Sequence, residues 1–392
     1  MKGQHIICFA KEWTEDPTSN NHVMLLLARE NKVLWLNSIA MRRPTFTSGR
    51  DLGKIWNKLK SFFRGAEHPV ANLWVVTPIV LPFPHSKLAI AVNRRILRAT
   101  IGHYERKLGL RDFQLWTFLP NAVEYVGKLG ESLVVYYCID EWSTFTDLDG
   151  QKMSAMERQL MQRADVCFMT ARSLLESKKD INPNTFLASH GVDHAHFAKA
   201  LASSTIVPAE IATLPHPIIG FFGLIDERID LDLLVRVARV HPDWSIVLLG
   251  KGVVDTSALK AFPNIYLLGR RPYEMLPGYC RAFDVGVIPY GVNERTRDIN
   301  PIKLREYLSA GLPVVSADLP EVKFYSQHVY VARGHDEFIS KVEQAIREDS
   351  AKARRGRSDL MRGETWEARV SAVCDAVVSV RDAKRIVQRI LQ

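Results

Sequence analysis

Short apolar runs alternating with helix-period stretches constrain this chain more than any other feature of its sequence. In the second half, PIIGFFG, SIVLLG, NIYLLG, VGVIPY, PVVSA and YVA succeed one another. Between them lie helical stretches such as LDLLVRVARVHPDW, EMLPGYCRAF and PIKLREYLSAG. A strand-to-strand interval of about 20–30 residues means βαβ units, and these build a parallel sheet covered on both faces. HIICFA, VLWLN, LWVV, QLWTF, LVVYYCI and VCFMT repeat the rhythm less regularly in the first half. The chain has 392 residues, whereas a single core stops growing at roughly 250–300. Two doubly wound, Rossmann-like α/β domains are therefore expected. The stretch 198–216 loses periodicity and collects Ala, Ser, Thr and Pro, which reads as the linker. The expected division is 1–205, 206–365 and a C-terminal helical segment, 366–392, packing back toward the first domain. Parallel sheets bind ligands beyond the carboxyl ends of their strands, so the cleft between two such domains is the expected site.

Composition excludes several classes. Hydrophobic residues make up 47% and charged residues 24%, which rules out disorder and a disulfide scaffold. No apolar run approaches the ~20 residues of a membrane-spanning helix. The N-terminus reaches Lys11 and Glu12 before a signal-peptide core forms. Cys8, Cys138, Cys167, Cys280 and Cys374 are scattered, with no metal-ligand spacing, and read as buried thiols of a cytoplasmic protein.

Charge is unevenly placed. Residues 1–111 carry 18 Lys+Arg against 7 Asp+Glu, whereas the remainder carries 34 against 36. The basic excess thus points to an acidic partner on the first domain, nucleic acid or an anionic membrane surface. In DLGKIWNKLKSFFRG, Leu52, Ile55, Trp56, Leu59, Phe62 and Phe63 form one helical stripe, with Lys54, Lys58, Lys60 and Arg64 mostly beside or opposite it. That pattern suits a helix lying in a lipid interface, and equally an ordinary surface helix with a solvated basic back. The aromatics are not interleaved with lysines as stacking platforms, which argues against nucleic acid. Trp56, Phe62 and Phe63 are the candidate membrane-facing residues, at the inner face of the plasma membrane.

Three segments carry chemistry. In NPIKLREYLSAGLPVVSA, Asn300 is the expected N-cap, Pro301 the first helical residue and Gly311 the stop. The N-terminus of that helix suits a phosphate; Lys303 adds a charge, and Glu306 can accept two ribose hydroxyl hydrogen bonds. The alternative is a surface Lys303–Glu306 pair. In GFFGLIDERIDLDLL, Gly220 and Gly223 permit close backbone approach and Arg228 can reach a diphosphate; a tight turn with a solvated charge cluster is the rival reading. In LVVYYCIDEWSTF, Asp140 follows a strand directly, where a general base would sit, or where a helix cap would.

Residues 218–322 resemble the nucleotide-binding domain of GT-B glycosyltransferases, specifically the large family 4 (group 1). The resemblance rests on GFFGLIDERIDLDLL, NIYLLGRRPYEMLPGYCRAFDVGVIPY and NPIKLREYLSAGLPVVSADLPEV, in the family's order. HGVDHAHF is similar to its segment before the linker, and YYCIDEWSTF to the strand end of bacterial exopolysaccharide and teichuronic-acid enzymes. The resemblance implies a metal-independent glycosyltransferase using a nucleotide-diphospho-sugar, UDP by family frequency. No cofactor and no metal site are expected. The implied donor residues are Gly223, Arg228, Arg270, Arg271, Asp298, Lys303 and Glu306, with Arg270 and Arg271 acting through their backbone at the base. Asp298 replaces the family's first glutamate, and Leu224 stands where an arginine is usual. Asp140 is the implied catalytic residue, while Asp16, His22 and Glu141 are implied on the acceptor side. The implied acceptor is a saccharide, polyprenyl-diphosphate-linked in exopolysaccharide or envelope synthesis. The rival readings are a GT-B sugar-nucleotide epimerase and a non-catalytic nucleotide-sugar or membrane-binding protein.

Overall fold

The computed structural model describes residues 1–15, 17–37, 65–146 and 148–390. Asp16, Trp56, Phe62, Phe63 and the whole Leu52–Phe63 stripe lie outside them. The chain forms two compact units, Met1–Ser189 with Arg369–Gln392, and His190–Ala368.

Unit 1 is built on an eight-stranded sheet. Its strands are β1 (His5–Phe9), β2 (Lys32–Leu36), β3 (Glu67–Val70), β4 (Leu73–Val76), β5 (Gln114–Thr117), β6 (Leu133–Cys138), β7 (Val166–Met169) and β8 (Thr185–Leu187). They run in the order β3-β4-β2-β1-β5-β6-β7-β8, all parallel except the β3 edge. The central strands are buried throughout, as helices on both faces demand. The principal helices of this unit are α1 (Ser19–Ala28), α2 (Lys87–Leu108), α3 (Gly150–Arg163) and α4 (Arg172–Lys178).

Unit 2 carries six parallel strands, β9 (Ile218–Phe222), β10 (Ser245–Leu249), β11 (Ile265–Gly269), β12 (Val285–Ile288), β13 (Val314–Ala317) and β14 (Tyr330–Ala332). Their order, β11-β10-β9-β12-β13-β14, is the doubly wound order 3-2-1-4-5-6. Its helices include α5 (Leu231–Val240), α6 (Leu276–Ala282), α7 (Ile302–Ser309), α8 (His335–Glu348) and α9 (Ala351–Leu360). A last helix, α10 (Trp366–Ile390), belongs to unit 1 from Arg369 onward. There Lys384 pairs with Asp165 at 2.8 Å and Arg381 donates to Gln4 at 3.1 Å.

The 198–216 stretch, read from sequence as a linker, lies wholly inside unit 2. It lacks periodicity because it folds as short turns, Ala198–Leu201 and Ala209–Ala212, packed against α6. The division between units falls at 189/190, where sequence placed it at 205/206.

Candidate functional site

In unit 2 the strand order reverses between β9 and β12, so backbone beyond their carboxyl ends is open to a ligand. Gly220 sits inside β9, where the Phe283 ring occupies the space a side chain would need. The chain then turns at Gly223 with φ 142°, and β10 is followed by Gly250 with φ 146°. Both conformations favour glycine. A Cβ on Gly250 would strike the Gly223 carbonyl.

α7 approaches the same turn. A Cβ on Gly223 would lie 2.6 Å from Lys303 Cε and 3.1 Å from Nζ, so the Lys303 ammonium lies beside the Gly223 backbone. Lys303 makes no ion pair among the described residues, and the surface Lys303–Glu306 pair considered from sequence does not form. Glu306 is only 7% exposed, and no described residue donates a hydrogen bond to its carboxylate. Burial raises its pKa to about 7 against partial compensation by Lys303. Among the described residues, the helix thus offers in its first turn a cation with no ion-pair partner, Lys303, and one turn further on a buried carboxyl group, Glu306.

An aromatic tier supports this arrangement. His196 stacks on Tyr273 at 4.4 Å, Phe197 on Phe222 at 5.9 Å, and Phe222 meets Tyr307 edge-on at 4.9 Å. The Phe222 N–H donates to the Tyr307 hydroxyl at 3.1 Å, tying the end of β9 to α7. Sequence reading noted the HGVDHAHF segment and missed this use of its His196 and Phe197.

Asn300 is not the N-cap. Pro301 takes that position without a side-chain bond, and Asn300 accepts from buried Arg305 at 2.7 Å. A buried guanidinium needs acceptors more urgently than a helix end that can face solvent. Asp298 is buried beside Arg297, whose Nε lies 3.7 Å away. The preceding turn, Glu294–Arg297, is capped by Asn293. Arg295 pairs with Glu227, and Gly291 donates to the Arg228 carbonyl at 2.8 Å, which joins the loops after β9 and β12.

The arginines expected at the donor are largely engaged elsewhere. Arg228 forks onto buried Asp226, with Nε 2.8 Å and 3.0 Å from its two oxygens. Arg271 makes a bidentate pair with Glu210, at 2.8 Å and 2.6 Å, and donates to Tyr279 at 3.0 Å. Arg271 and the Tyr279 hydroxyl, which also donates to Glu210, hold the Glu210 carboxyl down at about 2. The Arg271 side chain is thereby occupied, leaving its backbone for any ligand contact. Arg270 is exposed.

In unit 1, Asp140 is half-buried two residues beyond the end of β6. It caps no helix. Glu141 caps the following turn, accepting from Ser143 N–H at 3.2 Å and from its hydroxyl at 2.6 Å, while Asp149 caps α3. Glu141 also pairs with Lys178 at 2.8 Å. Burial would raise its pKa, but Lys178 and Ser143 outweigh it and hold the carboxyl below the usual glutamate range. His22 lies half-buried in the first turn of α1, after the loop that leaves β1.

Behind Asp140 lies a polar network that sequence reading did not find. Glu157 accepts from the Tyr136 hydroxyl at 2.6 Å and the Cys138 thiol at 3.1 Å, and pairs with Lys178 at 2.7 Å. Its signal was available: Met153, Glu157, Leu160 and Met161 form one buried stripe of α3, with a carboxylate in an otherwise apolar face. No group of His, Cys, Asp or Glu side chains suited to a metal occurs among the described residues.

Comparison with known proteins bears on the fold and on the second unit. Residues 216–348 match the family of glycosyl transferases group 1. A Bacillus subtilis (strain 168) protein, TuaH, whose assigned role is teichuronic acid biosynthesis glycosyltransferase, is 25% identical over 275 residues, covering 64% of this chain and 68% of its own. Sucrose-phosphate synthase from Thermosynechococcus elongatus superposes with a TM-score of 0.69 at 15% identity, over 97% of this chain and all of its own. HepE of Anabaena, solved with UDP and glucose, gives 0.67 at 12% identity, over 96% of this chain and all of its own. The two structures establish the fold, GT-B, as the sequence implied.

Proposed function

We propose that this chain, with its GT-B fold and the group 1 match in its second unit, is a glycosyltransferase that moves a sugar from a nucleotide-diphospho-sugar, UDP-linked, to a saccharide acceptor. The observation that carries this reading is Lys303, without an ion-pair partner among the described residues, beside the Gly223 turn, with buried Glu306 one turn further along the same helix and accepting no hydrogen bond from any described residue. Cation and helix N-terminus suit the diphosphate; the carboxyl group, set deeper, suits the ribose hydroxyls. HepE binds UDP and glucose on the same fold, which favours UDP here. The likeness to TuaH, a teichuronic acid biosynthesis glycosyltransferase, favours a saccharide acceptor of that kind; our further proposal is that the acceptor is lipid-linked and met at the membrane surface.

In this reading nucleoside diphosphate leaves the sugar carbon as the acceptor oxygen bonds to it. Lys303 and the amino end of α7 meet the charge that develops on the departing phosphate, the part preorganised electrostatics plays in catalysis. Asp140 is the acceptor-side carboxylate: it takes the acceptor proton if the reaction inverts, and if it retains it orients the hydroxyl while the departing phosphate takes the proton. Asp298 is assigned to the donor side and His22 to the acceptor side; Asp16, outside the described residues, is assigned there from the sequence alone.

Release of nucleoside diphosphate from UDP-sugars, followed with and without lipid-linked saccharides, tests the reading. Acceptor-dependent release is expected, lowered about 10²-fold or more by Asp140→Asn, in the range of lost general acid–base catalysis, with nucleotide affinity unchanged. A rearranged UDP-sugar formed without acceptor would establish an epimerase instead.

Glu306 adds a pH dependence. With a folded-state value near 7 against an ordinary 4.5, folding favours the protonated acid. Its contribution to stability is therefore full below about pH 4.5 and declines as pH rises toward about 7. Nucleotide binding runs the opposite way, because the carboxylate accepts both hydroxyls. Affinity should rise roughly tenfold from pH 6 to pH 8. Calorimetric titration across that range checks it, and Glu306→Gln should flatten the profile.

A further inference from the structure

Unit 2 has a cavity at the opposite end of its central strands from the donor turn. His216 directly precedes Pro217 and β9, and Arg281 and Ala282 end α6 just before β12, so this cavity opens at the amino ends of two parallel strands. It measures about 490 Å³. Leu201, Val207 and Ile211 form an apolar floor, while Arg281, Arg354, Arg355 and His216 supply the polar lining.

The charges are not all spent internally. Asp284 holds His216 at 2.6 Å, and Asp349 holds Arg354 at 2.6 Å. Arg281 gives one N–H to the Ala202 carbonyl, and neither Arg281 nor Arg355 has a carboxylate partner among the described residues. The walls are fixed: a Cβ on Gly311, at the end of α7, would lie 2.7 Å from Leu201 Cδ2 and 2.8 Å from the Arg354 carbonyl. Ile206, next in sequence to the lining residue Val207, is 85% exposed. Solvated arginines alone would need no apolar floor. Two guanidinium groups without a carboxylate partner among the described residues, in a cavity also lined by aliphatic side chains, match a phosphate monoester with an apolar substituent.

We propose that this cavity is an anion-binding site, separate from the donor site, for a phosphate monoester bearing an apolar group. The ester is either a soluble metabolite or the headgroup of an acidic lipid.

Calorimetry with inorganic phosphate and butyl phosphate tests the site, and flotation with phosphatidylcholine vesicles, with and without phosphatidic acid, identifies the source. Butyl phosphate should bind at least tenfold more tightly than inorganic phosphate, because the floor buries its alkyl chain. Arg281→Gln with Arg355→Glu should abolish that binding while leaving UDP affinity intact, which also shows that the variant is folded. Lys303→Ala should leave it unchanged. Phosphatidic-acid-dependent flotation, lost in the double variant, would assign the lipid source; butyl phosphate binding without flotation would assign the soluble one. Binding that survives the double variant, binding lost in Lys303→Ala, or no binding of butyl phosphate would each overturn the proposal.

Discussion

Lys178→Met is expected to destabilise the protein by about 3–5 kcal/mol, the usual consequence of leaving a buried ion without its partner. Lys178 lies between Glu157 and Glu141, 2.7 Å and 2.8 Å from their oxygens, with little exposure of any of the three side chains. Burial disfavours its charge, but the Glu157 and Glu141 carboxylates outweigh burial and keep the ammonium protonated. Methionine fills the space and leaves two carboxylates facing each other. At about 2–4 °C per kcal/mol for a unit of this size, the melting temperature should fall by roughly 10 °C. Glu157→Gln added to Lys178→Met should recover more than half of the loss, since glutamine still accepts from Tyr136 and carries no charge. An undiminished loss in the double variant would mean that Lys178 acts by packing rather than by charge. The network bonds Cys138 at the end of β6, so its purpose is to hold the backbone that presents Asp140.

Lys303→Ala should lower turnover about 10²–10³-fold, the range seen when one preorganised group facing developing charge is removed. The ammonium sits against Gly223 without a carboxylate to neutralise it. Its charge is therefore available to a departing diphosphate. Stability should barely change, because the side chain is only partly buried and makes no ion pair. Lys303→Arg should recover little, since the guanidinium is wider than the space beside Gly223. Steady-state kinetics check this: a fall in kcat with KM nearly constant marks a role at the transition state, and a rise in KM alone marks ground-state binding.

The second unit was legible in outline because each of its six strands is an apolar run bounded by turn residues. PIIGFFG, SIVLLG, NIYLLG, VGVIPY, PVVSA and YVA contain β9 to β14 in order. Two strands of unit 1 escaped, and for a common reason. β3 is an exposed antiparallel edge, and β8 is three residues long with two of them exposed, so neither carries the two-sided burial that the pattern detects. The position of Lys303 and Glu306 in one helix was equally legible, since i and i+3 spacing is local. Whether they pair was not, because that depends on β9 and on the aromatic tier that buries Glu306. Arg228 and Arg271 show the same limit. Their partners Asp226 and Glu210 lie two and 61 residues away, and sequence gives no reason to prefer those carboxylates to a phosphate. Asn300 looked like a cap because Asn commonly is one; buried Arg305, five residues on, claimed it instead.

The central claim is the donor site on unit 2. Its most direct test is the melting temperature of wild type and of Lys303→Ala with UDP, GDP, ADP and dTDP. A ligand at about 100 times its Kd stabilises by roughly 2.7 kcal/mol, well within reach of the measurement. The prediction is a clear shift with UDP, absent or strongly reduced in Lys303→Ala. Equal shifts in both proteins, or none with any nucleotide, would contradict a donor site at Lys303 and Glu306.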